Sequence, residues 1–330
     1  MNKNSIGLLL ILLVAFHLYG VYYRESIILQ PESPKVVELT YDQIVDVIKK
    51  EDVKKYVEVL ASKEFNGRGT GTEGNKKAAD YIKQHLDNLK IPYIEQEFNV
   101  QNRKTSNIIA YITPKRPKRD EIIVVGAHFD HLGSRGGTYY PGADDNASGV
   151  AGVMAIATAL SKYKDKLSHT VSIQFYSAEE LGLIGSKYYT NNALLPKDKP
   201  DINKHIAMIN LDMIGYLNKK YSENGNTTRY RDDKCWQVFN YRSDVGLRDI
   251  VQKLSSKYSF ANNISGYRPG GSDHAPFYNK GIPVVFLHTG LHPHYHKPTD
   301  TPDKLNYDGL TMVSKMALEI VIETDKSLNN

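Results

Sequence analysis

Apolar positions fall into three patterns along the chain, and each predicts a different element. The first is a continuous run, IGLLLILLVAFHLYGVYY at residues 6–23, preceded by Lys3 and containing no acid. About 18 apolar residues just suffice to cross a bilayer as a helix, and a basic flank stays on the cytoplasmic side. Residues 1–30 therefore read as a signal anchor or signal peptide that exports the rest of the chain. No small-x-small cleavage site stands near the end of the run, which favours the anchor. Residues 31–40, with Pro31 and Pro34, read as a linker. The second pattern has helical spacing: Ile44, Val45, Val47, Ile48, Val53, Val57 and Leu60 predict helix between residues 41 and 60. The third is a series of short β-rich runs: IIAYI at 108–112, IIVVGA at 122–127, TVSIQFY at 170–176, IAMINL at 206–211 and IPVVFLH at 282–288. Helical patterns alternate with them, including one from about 147 to 163. This alternation predicts one α/β domain over 41–330, with a mostly parallel mixed central sheet flanked by helices and preceded by the N-terminal hydrophobic helix. Gly, Asn and charges crowd into 217–234, which reads as an exposed loop or hairpin insertion.

Composition narrows the chemistry. With 41% hydrophobic and 24% charged residues over 330 positions, the chain is an ordinary globular protein. Its single cysteine, Cys235, excludes an internal disulfide framework, thiolate-rich zinc modules and cysteine-held iron–sulfur clusters. Any metal must be held by imidazole and carboxylate. The net charge of +5 is spread without a basic block, so nucleic acid is not an expected partner. Oligomeric state is left open.

Ligands of open α/β sheets bind beyond the carboxyl ends of the strands, so residues that follow each apolar run are the ones to examine. IIVVGA leads to His128-Phe129-Asp130, in which the carboxylate can orient a ligating imidazole. PGADDNASG carries Asp144 and Asp145 just before a helix; as isolated features they could equally be caps. TVSIQFY runs into Glu179-Glu180, one able to ligate while the other faces a substrate, or else a solvated helix start. IAMINL runs into Asp212, an acid in an apolar stretch that is costly to bury unless paired or metal-bound. The last run is followed by His292, His294 and His296. Two histidines (His128, His296) and three carboxylates (Asp144, Glu180, Asp212) provide three ligands for each of two metals if one carboxylate bridges. Nitrogen and oxygen donors with open positions suit catalytic zinc, with manganese or cobalt as substitutes. Glu179 is then free to act as general base to a metal-bridging hydroxide.

With these motifs in hand, the chain resembles the co-catalytic zinc aminopeptidase family, whose relatives include glutamate carboxypeptidase and the transferrin receptor. The resemblance runs from about residue 60 to 310. It rests on Gly67-Arg68-Gly69-Thr70-Gly71, GAHFDH at 126–131, GADDNASG at 142–149, SAEELGLIGS at 177–186, NLDMIG at 210–215, SDHAPF at 272–277 and YHKPTDT at 295–301. It implies that His128, Asp144 and Asp212 hold one zinc, and that Asp144 bridges to a second zinc held also by Glu180 and His296. It further implies Glu179 as general base and proton shuttle, Asp130 as partner of His128, and Tyr295 as a hydroxyl that polarises the scissile carbonyl. His131 stands where better-known members often have serine. The segment at 100–122 is too short for the accessory domain that some relatives insert there.

The expected function is a metal-dependent aminopeptidase, exported and membrane-anchored with its catalytic domain on the non-cytoplasmic side, that acts on peptides with a free N-terminus. A zinc-dependent deacylase or dipeptidase uses a similar ligand set but carries an inserted lid, for which the stretch from Asp212 to His296 leaves little room. Glutaminyl cyclase shares the fold but uses one zinc. A receptor-like ectodomain without metals is disfavoured by the retention of every ligand and the base.

Overall fold

The computed structural model describes residues 39–193, 201–217, 235–241, 246–258, 261–262 and 270–327. The apolar run at 6–23, the linker as far as residue 38 and the insertion at 218–234 lie outside them. Among the described residues no helix is long and apolar enough to cross a membrane. The helical stretch expected over 41–60 is divided into α1 (Tyr41–Val45) and α2 (Lys50–Leu60). Thr40 starts α1 with a capping box to Gln43, and Glu51 and Asp52 place negative charge on the first turn of α2.

After α3 (Glu73–Asn88), β1 (Tyr93–Val100) and β2 (Arg103–Ile112) form an antiparallel hairpin. Gln101 and Asn102 close it with φ of 47° and 61°, the positive values that a two-residue hairpin turn requires. Next come β3 (Ile122–His128), a small ribbon of β4 (Ser134–Arg135) with β5 (Thr138–Tyr139), α4 (Gly149–Tyr163), β6 (Thr170–Tyr176) and α5 (Ile184–Asn191). The chain continues through β7 (His205–Leu211), β8 (Cys235–Tyr241), α6 (Leu247–Lys257), β9 (Ala261–Asn262), α7 (His274–Asn279), β10 (Val284–His288) and α8 (Tyr307–Ser327). The main sheet has the order β1-β2-β6-β3-β7-β10-β8-β9. Its centre, β6-β3-β7-β10, is parallel throughout, and β1, β2 and β8 add antiparallel pairings on its flanks.

Both faces of this centre are covered, so the polar residues of its strands, such as Ser172 and Gln174 of β6, are buried along with the apolar ones. All seven residues of β3 and of β6 are buried. Successive side chains alternate between two cores. Ile123, Val125, Ala127, Ile173, Ile209 and Val285 join the larger core with α2, α3, α4, α6 and α8. Ile122, Val124, Tyr176, Met208 and Val284 join the smaller one with Tyr189 of α5 and Phe277 of α7. The carboxyl ends of the four parallel strands are thereby held side by side at one edge.

Candidate metal centre

The groups expected to carry chemistry gather at that edge. His128 is the last residue of β3, Asp212 follows β7 directly, Glu179 and Glu180 follow β6, Asp145 precedes α4, and His296 lies in the loop between β10 and α8. His128 Nε2 is 3.5 Å from Asp145 Oδ1 and 3.4 Å from Asp212 Oδ1. His296 Nε2 is 3.1 Å from Asp145 Oδ2 and 3.1 Å from Glu180 Oε2. The two oxygens of one carboxylate, Asp145, thus face two separate clusters. His128, Asp145 and Asp212 are buried, and His296 is about one-third exposed.

The bridging position expected of Asp144 is occupied by Asp145. Asp300 sets the loop by accepting the main-chain N–H of both, from Asp144 at 3.0 Å and from Asp145 at 3.1 Å. Asp144 then turns its carboxylate the other way, accepting from Gly215 N at 2.7 Å and lying 3.2 Å from His292 Nε2. Adjacent side chains on a bent backbone cannot share one direction, so only one of the pair reaches the clusters. His292 stacks on Tyr216 at 4.3 Å between ring centroids, which places it beside the site as a support for Asp144.

Asp130 also departs from expectation. His128 Nδ1–H donates to the main-chain oxygen of Asp130 at 3.1 Å, which turns Nε2 toward the cluster, whereas the Asp130 carboxylate stays 3.8 Å away. That carboxylate accepts instead from Glu179 N at 3.0 Å, Glu180 N at 3.3 Å and Thr70 Oγ1 at 2.9 Å. It therefore orders the Glu179-Glu180 segment rather than the imidazole. Glu179 Oε2 lies 4.0 Å from His128 Nε2, beside the His128 cluster and outside both. Tyr295 stacks on His296 with ring centroids 3.8 Å apart.

The electrostatics are those of a site that attracts cations. Burial disfavours a charged His128, but Glu179, Asp212 and Asp145 outweigh it and hold its pKa well above the usual imidazole range. Burial, reinforced by Asp273, Asp212 and Asp130, raises Glu179 well above the usual carboxylate range despite His128. Burial also raises the Tyr295 hydroxyl, next to Asp145 and Glu180, so it stays protonated at neutral pH. Asp212 Oδ1 is buried, has no hydrogen-bond partner among the described residues and faces His128 Nε2, as a ligand oxygen would. Ligand atoms of His128, Asp145 and Asp212 all lie within 4.8 Å of one another, as do those of His131, Asp145 and Glu180. The donor set fits a divalent metal.

Two supports were not assigned a part from sequence. Arg68, fully buried in the GRGTG run, donates to Leu60 O (2.7 Å), Phe129 O (2.9 Å), Pro141 O (2.8 Å) and Gly142 O (2.8 Å). It thereby joins the His128 and Asp145 segments through their backbones. Asp300 lay within the quoted YHKPTDT, where only an embedded acid signalled it. Asp273 and His274, at the start of α7, are buried outside both clusters, and Asn210 Nδ2 donates to the preceding Ser272 Oγ at 2.7 Å to anchor the loop. His294 accepts or donates at Nδ1 to Thr299 Oγ1 at 3.0 Å and joins neither cluster.

The profile of peptidase family M28 matches residues 107–321, from β2 to α8 and across every residue of both clusters. The chain belongs to this family. Among M28 relatives, leupeptin-inactivating enzyme 1 of Streptomyces exfoliatus is 31% identical over 231 residues, covering 70% of this chain and 46% of that protein. Aminopeptidase YwaD of Bacillus subtilis is 28% identical, covering 68% and 46%. The chain thus spans about half the length of these curated relatives. Solved structures share the M28 fold: LapB from Legionella pneumophila superposes with a TM-score of 0.69 at 23% identity, covering 89% of this chain and 75% of that one. A zinc aminopeptidase from Bacillus subtilis does so at 0.68 and 18% identity, covering 84% and 95%. Porphyromonas gingivalis glutaminyl cyclase gives 0.64 at 23% identity, covering 86% and 99%.

Proposed function

We propose that the chain is a metal-dependent aminopeptidase that removes N-terminal residues from peptides with a free amino group. The observation that carries this reading is the division of Asp145 between two clusters, with the Glu179 carboxylate 4.0 Å from His128 and part of neither. His128, Asp145 and Asp212 would hold one zinc-class ion, and Asp145, Glu180 and His296 a second. Bound there, such a pair makes water acidic enough to attack at neutral pH and polarises the scissile carbonyl. The raised pKa of Glu179 suits it to take the proton of the attacking water and pass it to the leaving amine. Asp130 keeps Glu179 in place through its main-chain N–H. The protonated hydroxyl of Tyr295 is a donor for the substrate carbonyl oxygen, and the excess of carboxylates favours a substrate that arrives as an ammonium ion. The likeness to leupeptin-inactivating enzyme 1 and to aminopeptidase YwaD supports the same reading. The apolar run at 6–23 supports export, with membrane anchoring and a catalytic body on the non-cytoplasmic side.

The likeness to glutaminyl cyclase supports a second reading, cyclisation of N-terminal glutamine at one metal, but a single-metal site has no use for two clusters sharing one carboxylate. A panel of free-amine, N-acetylated and N-terminal glutaminyl peptides, assayed with and without chelator, separates them. Hydrolysis of the free-amine peptides alone, lost with chelator and restored by zinc, is expected. Cleavage of blocked peptides, cyclisation without hydrolysis, or full activity in chelator contradicts the proposal.

A further inference from the structure

Glu180 presents its two oxygens to different partners. Its Oε2 lies 3.1 Å from His296 Nε2, which is also 3.1 Å from Asp145 Oδ2. These spacings suit donors around one tetrahedral ion, since ligands about 2.0–2.2 Å from zinc stand roughly 3.3 Å from one another. Its Oε1 accepts from His131 Nδ1–H at 2.7 Å. His131 Nδ1 is 3.7 Å from Asp145 Oδ2, and its 2.7 Å contact with Oε1 is a hydrogen-bond distance, shorter than the separation of two ligands of one ion, which sets it behind Glu180.

The ring of His131 is held there from several sides. Its main-chain N–H donates to Arg68 O at 3.3 Å. Gly142, at a φ of +57°, presses against the ring: a Cβ there would stand 2.5 Å from Cδ2 and 2.6 Å from Cγ. The edge of His296 meets it with centroids 5.8 Å apart. His131 is buried, and its Nε2 has no hydrogen-bond partner among the described residues. Nδ1 is therefore the nitrogen whose placement has a partner to serve.

We infer that His131 is a positioning residue for the Glu180 site: its Nδ1–H clamps the outer oxygen of Glu180, so the carboxylate offers an ion one oxygen rather than two and leaves a coordination position open to substrate. A donor behind a ligating carboxylate also fixes its direction, and loss of such a support typically weakens metal binding about 10- to 100-fold. The inference rests on the metal-dependent reading above.

The test is zinc titration of the full chain against a chromophoric chelator, for wild type, His131→Ala and His131→Asn, with circular dichroism to verify folding. Asparagine offers an N–H from nearly the position of Nδ1 but is a poor zinc ligand, so it distinguishes a clamp from a ligand. The expected result is that His131→Ala weakens one of two ions about 10- to 100-fold and leaves the other unchanged, while His131→Asn restores most of the loss. Equal loss in both folded variants, or no loss in His131→Ala, overturns the clamp. Should the alanine variant not fold, NMR of isotope-labelled histidine in the zinc-loaded wild type decides: a protonated Nδ1 on His131 is expected, and a metal-bonded Nδ1 overturns it. A wild type that binds no zinc defeats the proposed function itself, and the clamp with it.

Discussion

Glu179 and Glu180 are neighbours in sequence with opposite tasks, and the difference comes from where each is held. Burial pushes Glu180 up, but hydrogen bonds from His131 and His296 outweigh it and keep its carboxyl well below the usual range, as suits a ligand. Among the described residues no hydrogen bond reaches the Glu179 carboxylate, and burial, reinforced by the acids around it, raises it, as suits a base. Glu179→Gln keeps the shape and removes the proton acceptor. Turnover should fall by roughly 10²- to 10⁴-fold with zinc content unchanged. Rates beside metal analysis of the same preparation check this, and near-normal turnover would reassign the base. The choice between Asp144 and Asp145 shows where reading a sequence stops. Both are acids in the same motif, and what separates them is the direction of the backbone under Asp300, a contact between residues 156 and 155 positions apart.

Strands of the parallel centre were legible from their β-branched, aromatic and other large apolar residues, even where Ser172 and Gln174 are buried among them: β6 coincides with the predicted run, and β3 and β7 extend theirs by one residue. β1 was not legible. Glu95, Glu97 and Asn99 point outward and Gln96 inward, where it accepts from Asn107 Nδ2 at 3.0 Å, so no apolar run marks it. The long helix α8 was also unassigned, its buried face interrupted by Glu319, paired with Lys257 at 2.6 Å, and by Asp325, which caps Ser168 and His169 N–H groups. The start of β7 carries its own pH dependence. His205 donates from Nδ1–H to Ile202 O at 3.1 Å and accepts at Nε2 from the Tyr189 hydroxyl at 2.7 Å, a set that only neutral imidazole satisfies. Burial lowers its pKa to about 4 from 6.5. The unfolded chain takes up the proton first as pH falls. The stability contributed by neutral His205, on the order of 3 kcal/mol, is therefore complete above about pH 6.5 and lost as pH falls through about 4. Urea unfolding across that window should show wild type and His205→Gln converging in stability as pH drops; a gap constant with pH would contradict it.

For the molecule as a whole, the sheet order explains how residues from distant parts of the chain form one site. The parallel strands β6, β3, β7 and β10 are neighbours, so the segments after them meet although they span positions 128 to 296. The sheet class and the set of loops were readable from alternating runs and strand-end motifs. The supports were not, because Arg68 acts on five main-chain oxygens and Asp300 on two main-chain N–H groups, interactions that leave no side-chain pattern. We propose that this edge holds two metal ions through one shared carboxylate, Asp145. Zinc per chain, measured at saturation in the wild type, Asp144→Ala and Asp145→Ala, is the decisive measurement. Two zinc ions are expected in the wild type, with both sites retained in Asp144→Ala and both lost in Asp145→Ala; one ion or none in the wild type, or two retained without Asp145, would overturn the proposal.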